Sequence, residues 1–197
     1  MTAFQLVQPL PGVRQWATYS PSHRVELTSH AVGTPAGWWI FDPIPLAPAG
    51  VEQLLREQPA CGILLTNQNH ARAAVAWRHR GDCQIFSPDP AGCPVPDVAP
   101  LASANLVATG AETVSLEGGA PAEMAVFFPA ISLVVFGDAV VHLPGRSLEI
   151  LPDRYCTDPA RLRRELAKLL ARPFDHALFA HGHPLTGDAR RRIKALL

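Results

Sequence analysis

A continuous apolar stretch at residues 61–66 constrains the fold more than any other segment of the chain. An apolar run of that length predicts a strand that is buried on both faces. The polar segment 67–70 follows it, then an alanine-rich helix at 71–80 that ends at Gly81, and then a short strand at 84–86. This strand–helix–strand order predicts a right-handed crossover between parallel strands.

Further strands are predicted on both sides of this unit. Alternating or aromatic and β-branched segments predict strands at residues 24–28, 37–41, 105–109, 113–116, 123–128, 131–136, 139–143 and 176–180. Asp42-Pro43, which follows the strand at 37–41, is a turn signal. A short helix is predicted at 50–58, and the five prolines of segment 88–100 predict a loop. Runs of strands with helices dispersed between them indicate sheets that carry helices on their outer faces.

Two helices are predicted near the C-terminus. Asp158 followed by Pro159 has the form of an N-cap with proline at the first helical position. An apolar stripe at helical spacing follows it, formed by Leu162, Leu166, Leu169 and Leu170, which predicts a face packed on the core. Asp188 is predicted to cap the last helix, which runs to Leu197.

Composition fits a folded protein with no obvious macromolecular partner. The chain has 197 residues, is 48% hydrophobic and 17% charged, and carries a formal net charge of zero. We therefore expect one domain, 1–197, and neither nucleic acid nor a membrane surface as partner. The N-terminus lacks the pattern of a signal peptide, and the four cysteines form no C-x-x-C pair, so reduced thiols and a cytoplasmic location are expected.

The basic residues are unevenly distributed along the chain. Residues 146–197 hold eleven of the seventeen basic residues and six acidic ones. A solvated helix face is one interpretation, and an anion-binding surface is the other. The adjacent residues Trp38 and Trp39 should face opposite sides of their strand, so at least one is expected to be exposed. Core packing or a homodimer contact is favoured for this pair over stacking on a ligand.

The order of elements and three short motifs resemble a metallo-β-lactamase-type domain. The motifs are the strand end at residues 64–66, Gly137-Asp138 and Ala180-His181-Gly182, and the resemblance covers roughly residues 20–197. It implies an α/β (α+β) fold, an αββα sandwich of two mixed β-sheets flanked by helices. It also implies a site for two metal ions where the sheets meet. Members of that family are mostly hydrolases of lactams, thioesters, phosphoesters or nucleic acids.

This chain departs from the ligand pattern that the resemblance implies. The family motif is His-x-His-x-Asp-His after a strand that ends in Thr, and a further histidine lies later in the chain. Five of seven ligand positions are replaced, by Asn67, Asn69, Ala71, Arg72 and Gly119. Asp138 and His181 remain. Two retained ligands are fewer than the three protein ligands of an ordinary catalytic zinc, and Arg72 would place a permanent cation in the site.

Three interpretations of the altered site follow. In the first, Arg72 pairs with Asp138 and neutralises a retired site. In the second, a polar pocket binds a ligand, with Arg72 holding a carboxylate or phosphate; its residues are Asn67, Asn69, His70, Arg72, Glu123, Asp138 and His181. In the third, one zinc, iron or manganese ion is held by residues drawn from His70, Asp138, His181 and His183.

The sequence is interpreted as a metallo-β-lactamase-like protein with a degenerate metal site and no cofactor. Its expected role is non-catalytic binding or regulation, with a small anionic ligand or a protein as partner. The alternative is a divergent metal-dependent hydrolase that uses a residual site near Asp138 and His181.

Overall fold

The computed structural model describes residues 2–101, 106 and 109–197. Thirteen strands and four α-helices lie within them. The first sheet contains, in spatial order, β1 (Val13–Ser20), β2 (Val25–Thr34), β3 (Gly37–Phe41), β4 (Ala60–Leu64), β5 (Ile85–Ser87) and β6 (Val98–Pro100). In chain order, the remaining strands are β7 (Glu112–Ser115), β8 (Met124–Phe128), β9 (Leu133–Phe136), β10 (Val140–Val141), β11 (Glu149–Ile150), β12 (His176–Phe179) and β13 (Leu185–Thr186).

Both large sheets are mixed, as the resemblance implies. In the first sheet β1 to β3 pair antiparallel, whereas β3 to β6 pair parallel. The second sheet has the order β13-β12-β9-β8-β7, and only its β12–β9 pair is parallel. β10 and β11 form a separate two-stranded sheet.

The helices cover the outer faces of the two sheets. They are α1 (Pro48–Glu57), α2 (Ala74–Gly81), α3 (Pro159–Leu169) and α4 (Ala189–Lys194). Side chains of α1 and α2 share one apolar cluster with the first sheet, and those of α3 and α4 share another with the second sheet. A third cluster joins residues of both sheets, including Phe41 and Leu64 from the first and Val126 and Val135 from the second. The αββα sandwich predicted from the sequence is therefore confirmed.

Most predicted elements are present, and several bounds differ. Helix α2 begins at Ala74 instead of residue 71, because the Asn67 side chain accepts a hydrogen bond from Asn69 N and closes a 3-10 turn, Gln68–His70. Strand β1 was not predicted. The predicted loop 88–100 ends in the edge strand β6, where Pro100 is tolerated because the outer side of an edge strand needs no partner. The strand predicted at 105–109 falls mostly outside the described residues.

Of the two N-caps predicted for the C-terminal helices, one is confirmed and the other is wrong. Asp158 Oδ1 accepts a hydrogen bond from Arg161 N at 2.9 Å, and the leucine stripe of α3 is buried. Asp188 precedes α4 but makes no capping hydrogen bond, since its backbone is left-handed (φ 58°) and its carboxylate pairs with Arg191.

The tryptophan pair lies on opposite faces of β3, as predicted, but neither ring is exposed. Trp38 is 1% exposed and packs under α1, where its Nε1 donates to Leu54 O at 2.9 Å. Trp39 is 4% exposed and lies between the sheets. The expectation of an exposed ring was wrong because both faces of this strand are covered.

All four cysteines, Cys61, Cys83, Cys93 and Cys156, are free thiols. Among the described residues, no helix combines the length and the apolar character that a membrane crossing requires.

Candidate metal centre

Four strand ends bring the polar residues of the site together. Asp42 follows β3, Thr66 and Asn67 follow β4, Asp138 follows β9, and His181 follows β12. The parallel pairs β3–β4 and β9–β12 place the carboxyl ends of both partners at the same edge of each sheet. The site therefore draws residues from both sheets, and the sequence order of its members gives little indication of their proximity.

His70 is the centre of the buried part of this group. Its Nδ1 lies 2.9 Å from Asp42 Oδ2 and 3.0 Å from Thr66 Oγ1, and its Nε2 lies 3.2 Å from Asp138 Oδ1. The Thr66 hydroxyl and amide also donate to Asp42, at 2.6 and 2.8 Å. Asp42 thus orients the ring of His70 and directs Nε2 towards Asp138.

His181 approaches the same carboxylate oxygen from the second sheet. Its Nδ1 lies 2.9 Å from Glu26 O, and a carbonyl can only accept, so Nδ1 carries the proton. Its Nε2 lies 3.0 Å from Asp138 Oδ1. One ligand atom from each of His70, Asp138 and His181 falls within 4.8 Å of the other two, which makes this group a candidate metal site.

The second oxygen of Asp138 is held by an amide that also binds Glu123. Asn67 Nδ2 donates to Asp138 Oδ2 at 3.1 Å and to Glu123 Oε2 at 2.8 Å. Glu123 Oε1 accepts from the backbone nitrogens of Asp138 and Ala139, at 2.8 and 3.0 Å. Asn67 and Glu123 therefore fix the position of Asp138 and do not themselves face the histidines.

Two glycines leave room for Glu123. A Cβ atom on Gly137 would lie 2.6 Å from Glu123 Oε1 and 2.5 Å from Thr66 Oγ1. A Cβ on Gly119 would lie 2.9 Å from Glu123 Cγ. Gly119, which the sequence resemblance aligned with a further histidine of the family, is thus packed against Glu123.

The predicted ion pair between Arg72 and Asp138 is not formed. Arg72 Nη1 donates to Thr28 O at 2.9 Å and to Asp42 O at 3.0 Å, and Nη2 donates to Ala180 O at 3.3 Å. Three of the five N–H donors of the guanidinium are thus used by backbone carbonyls, which leaves few for the carboxylate or phosphate that Arg72 was expected to hold. It remains next to the site, with Nη2 3.5 Å from His181 Nε2.

Ionisation in the group follows from its burial and its charges. Burial and Arg72 favour a neutral His70, but the carboxylates of Asp138 and Asp42 outweigh them and raise the pKa of His70 to about 9. Burial opposes ionisation of Asp138, yet His70 and His181 hold the pKa of that carboxyl well below its usual range. Burial, reinforced by the charge of Asp138, raises the pKa of Glu123 to about 8.

The predicted pocket residues lie near one another, but one of the four predicted metal ligands, His183, does not join them. Asn69, Asp138 and His181 line an open cavity, while Asn67, His70 and Glu123 are buried. His183 lies outside the group: its side chain is exposed, and its ring packs edge-on to His142 with the centroids 6.2 Å apart. The sequence interpretation missed Asp42, which it took for a turn residue. Its position directly after a buried strand was the available signal.

The sequence profile of the metallo-β-lactamase superfamily matches residues 7–197. A search of curated proteins finds no match to the chain.

Solved metallo-β-lactamases share the fold. The structure of DIM-1 metallo-β-lactamase exposed to ceftazidime is 14% identical, with a TM-score of 0.74 over 98% of this chain and 95% of that one. The mono-zinc form of FIM-1 from Pseudomonas aeruginosa is 13% identical, with a TM-score of 0.72 over 100% and 95%. A metallo-β-lactamase from Pontibacter korlensis is 16% identical, with a TM-score of 0.71 over 98% and 97%.

The sequence profile covers nearly the whole chain, and the sandwich has the family's architecture with Asp138 and His181 at its edge. The chain therefore belongs to the metallo-β-lactamase superfamily.

Proposed function

We propose that this chain is a metal-dependent hydrolase in which His70, Asp138 and His181 hold a single divalent cation. One observation carries the proposal: both imidazoles present Nε2 to the same oxygen of Asp138, while each Nδ1 is fixed from behind. Metal-binding histidines are commonly oriented in this way, by a carboxylate or a backbone carbonyl on the opposite ring nitrogen. Asp42 and Glu26 O supply these two partners.

The spacing and chemistry of the three residues fit a cation. Bonds of 2.0–2.1 Å in a tetrahedral site separate neighbouring ligand atoms by about 3.3 Å. The two nitrogens lie 3.2 and 3.0 Å from Asp138 Oδ1. Two imidazoles and one carboxylate suit zinc, and also iron or manganese. When bound, such a cation polarises a carbonyl or phosphoryl oxygen and activates water.

A second cation does not fit the described residues around this group. Asn67 and Asn69 offer neutral amides, and the space beside Gly119 is filled by Glu123. Arg72 adds a fixed positive charge near His181. We therefore propose a site for one ion, in which His70 replaces ligands that the family takes from other positions.

Four neighbouring side chains hold two of the three proposed ligands in position. Asn67 and Glu123 hold Asp138, and Asp42 and Thr66 hold His70. The side chains of Asp138 and His181 are each 14% exposed, whereas that of His70 is 4% exposed. A substrate would therefore reach the group from the side of Asp138 and His181, with His70 behind them.

A second candidate function is ligand binding without any metal. It is favoured by the closed set of hydrogen bonds around Asp138, whose Oδ1 contacts both imidazoles and whose Oδ2 accepts from Asn67. If Nε2 of His70 and Nε2 of His181 both carry a proton, both donate to Asp138 Oδ1, and the network is complete without a metal and neutralises the carboxylate. This candidate corresponds to the metal-free binding role expected from the sequence.

Elemental analysis after exposure to zinc, iron or manganese and exhaustive dialysis separates the two candidates. The hydrolase proposal predicts about one equivalent of metal per chain for the wild type and less than about a tenth for H70A, D138N and H181A. H183A is the matched control, because His183 is close in sequence but outside the group, and it should retain metal as the wild type does. The loaded protein should then hydrolyse an ester, thioester or phosphoester, and D138N should not.

A wild type that binds no metal under any of these conditions would reject the hydrolase proposal and support metal-free binding. Circular dichroism of each variant confirms that loss of metal does not reflect loss of fold. A thermal shift on addition of zinc, present in the wild type and H183A alone, provides an independent measure because only the folded state holds the complete group.

A further inference from the structure

A cavity of about 570 Å³ opens from the candidate metal centre to the surface. Its lining includes Asp138, His181 and Asn69, and it also includes Arg24, Arg146 and Arg154. Apolar side chains also line it, among them Val25, Val141, Leu143 and Leu151. Its size is within the range of small-molecule sites.

The three arginines come from separate segments of the chain. Arg24 ends the turn between β1 and β2, Arg146 lies in the turn between β10 and β11, and Arg154 is in the 3-10 helix Asp153–Tyr155. The backbone fold places them around one cavity although the chain has no net charge. Arg146 and Arg154 belong to the basic segment 146–197, whereas Arg24 joins them only through the fold.

The guanidinium groups are not committed to acidic partners. Among the described residues, none of the three forms an ion pair. Asp153, the acid next to Arg154, pairs with Arg163 instead. Glu149 and Asp138 also line the cavity, so three arginines stand against two carboxylates there.

Arg154 and Arg24 each have a distinctive local geometry. The guanidinium of Arg154 lies 4.6 Å from the ring centroid of Tyr155, whose ring also lines the cavity. Arg24 has a left-handed backbone (φ 54°), a conformation that is uncommon for a long side chain. Both side chains remain exposed at the opening.

We propose that Arg24, Arg146 and Arg154 form an anion-recognition rim, and that the ligand of this cavity is a small amphipathic molecule with a carboxylate or phosphate group. The rim binds the anion by charge-assisted hydrogen bonds, and the apolar wall contacts the rest of the molecule. This inference deepens the proposed function, because it assigns a substrate class to the hydrolase; anion binding itself requires no metal.

Isothermal titration calorimetry with four octyl compounds tests the rim on the full chain after metal removal. Octanoate and octyl phosphate are the anionic probes, octanol is the neutral one, and octylamine is the cationic one. Both anions should bind at least about tenfold more tightly than octanol, since about 1.4 kcal/mol of charge interaction corresponds to a factor of ten. The order of the two anions decides between a carboxylate and a phosphate.

Variants identify the groups responsible. The triple variant R24Q/R146Q/R154Q should lose the preference for anions and keep the affinity for octanol. The matched control R80Q/R164Q/R192Q removes the same charge at exposed positions that do not line this cavity, and it should bind as the wild type does. Equal losses in both triple variants, or anions binding no better than octanol, would overturn the inference.

The design also separates this inference from the hydrolase proposal. Anion binding by metal-free wild type and by D138N supports the rim whether or not a metal binds. Anion binding that appears only after metal loading, and that disappears in D138N while the triple arginine variant retains it, would overturn the rim and leave the metal centre standing.

Discussion

The Nδ1 atom of His70 lies 2.9 Å from Oδ2 of Asp42, and this contact directs the other ring nitrogen towards Asp138. Asp42 is buried and comes from the first sheet, 28 residues before the histidine it orients. The family's own motif does not contain a ligand at the position of His70. Its inclusion in the candidate metal centre therefore depends on a carboxylate that lies outside the motif.

Replacing Asp42 should weaken metal binding without removing a ligand. In D42N the carboxylate that contacts both Thr66 and His70 becomes a neutral amide, which is a weaker acceptor. Loss of such an orienting partner typically costs about 10- to 100-fold in metal affinity. Competition titration with a zinc chelator measures this change. D97N, at an exposed aspartate, is the control. An unchanged affinity in D42N would show that Asp42 does not orient His70 towards a metal.

Arg72 should be essential to stability and not replaceable by lysine. Its guanidinium bridges Thr28 O, Asp42 O and Ala180 O, which belong to both sheets, and one ammonium cannot reproduce that fork. We expect R72K to lower the free energy of unfolding by about 2–4 kcal/mol. Urea denaturation measures it, with R78K as control because Arg78 binds an exposed carbonyl, Pro96 O. Similar losses in both variants would contradict the bridging role.

His30 should make the protein sensitive to acid. Burial lowers the pKa of His30 from 6.5 to about 4, although a hydrogen bond to Phe179 O opposes the shift. Its Nδ1 has no hydrogen-bond partner among the described residues, and Asp42 and Arg72 are the charges that act on it. Between pH 6.5 and 4 the unfolded chain binds a proton at this ring that the folded chain does not, so stability falls as pH falls.

The loss attributable to His30 approaches about 3 kcal/mol at pH 4, at 1.36 kcal/mol per pKa unit. Unfolding free energies of the wild type and H30Q, measured by urea denaturation from pH 7.5 to 4, isolate this contribution. H30Q retains a side-chain donor and cannot titrate, so the difference between the two proteins should change across that range. Parallel curves would mean that His30 is not buried as a neutral ring.

We expect that a side chain larger than hydrogen at position 137 destabilises the fold, because no space is left for a Cβ atom. Its Cβ would meet Thr66 Oγ1 and Glu123 Oε1 at 2.5 and 2.6 Å, so an added methyl must displace two oxygen atoms that support the site. We expect G137A to lower the free energy of unfolding by about 1–3 kcal/mol. T66A removes one of the two clashing atoms, so the double variant T66A/G137A should lose less than the sum of the single variants. If the losses of unfolding free energy in the two single variants simply add in the double variant, the clash with Thr66 is not the cause of the G137A loss.

The sequence alone was sufficient for most of the architecture. Periodicity, the continuous apolar strand and the Asp158-Pro159 cap are local signals, and they predicted α3 and most strands. The αββα sandwich and the replaced ligand positions were expected from the resemblance to the metallo-β-lactamase family. The predictions were wrong where a local pattern typical of one structural role belongs to a residue that has another role in the fold. Asp42 looked like a turn residue, Asp188 looked like a cap, and Trp38 and Trp39 looked like a pair that could not be wholly buried.

The partners of the site residues were decided by tertiary structure. Nothing in the sequence indicates that His70 rather than Arg72 contacts Asp138, because the two residues are only two positions apart and only the backbone geometry separates their directions. The arginines around the cavity are likewise scattered over 131 positions, from 24 to 154. Helices and strands form from interactions within a few residues, whereas a site assembled from several strand ends depends on which strands pair and on where each side chain points.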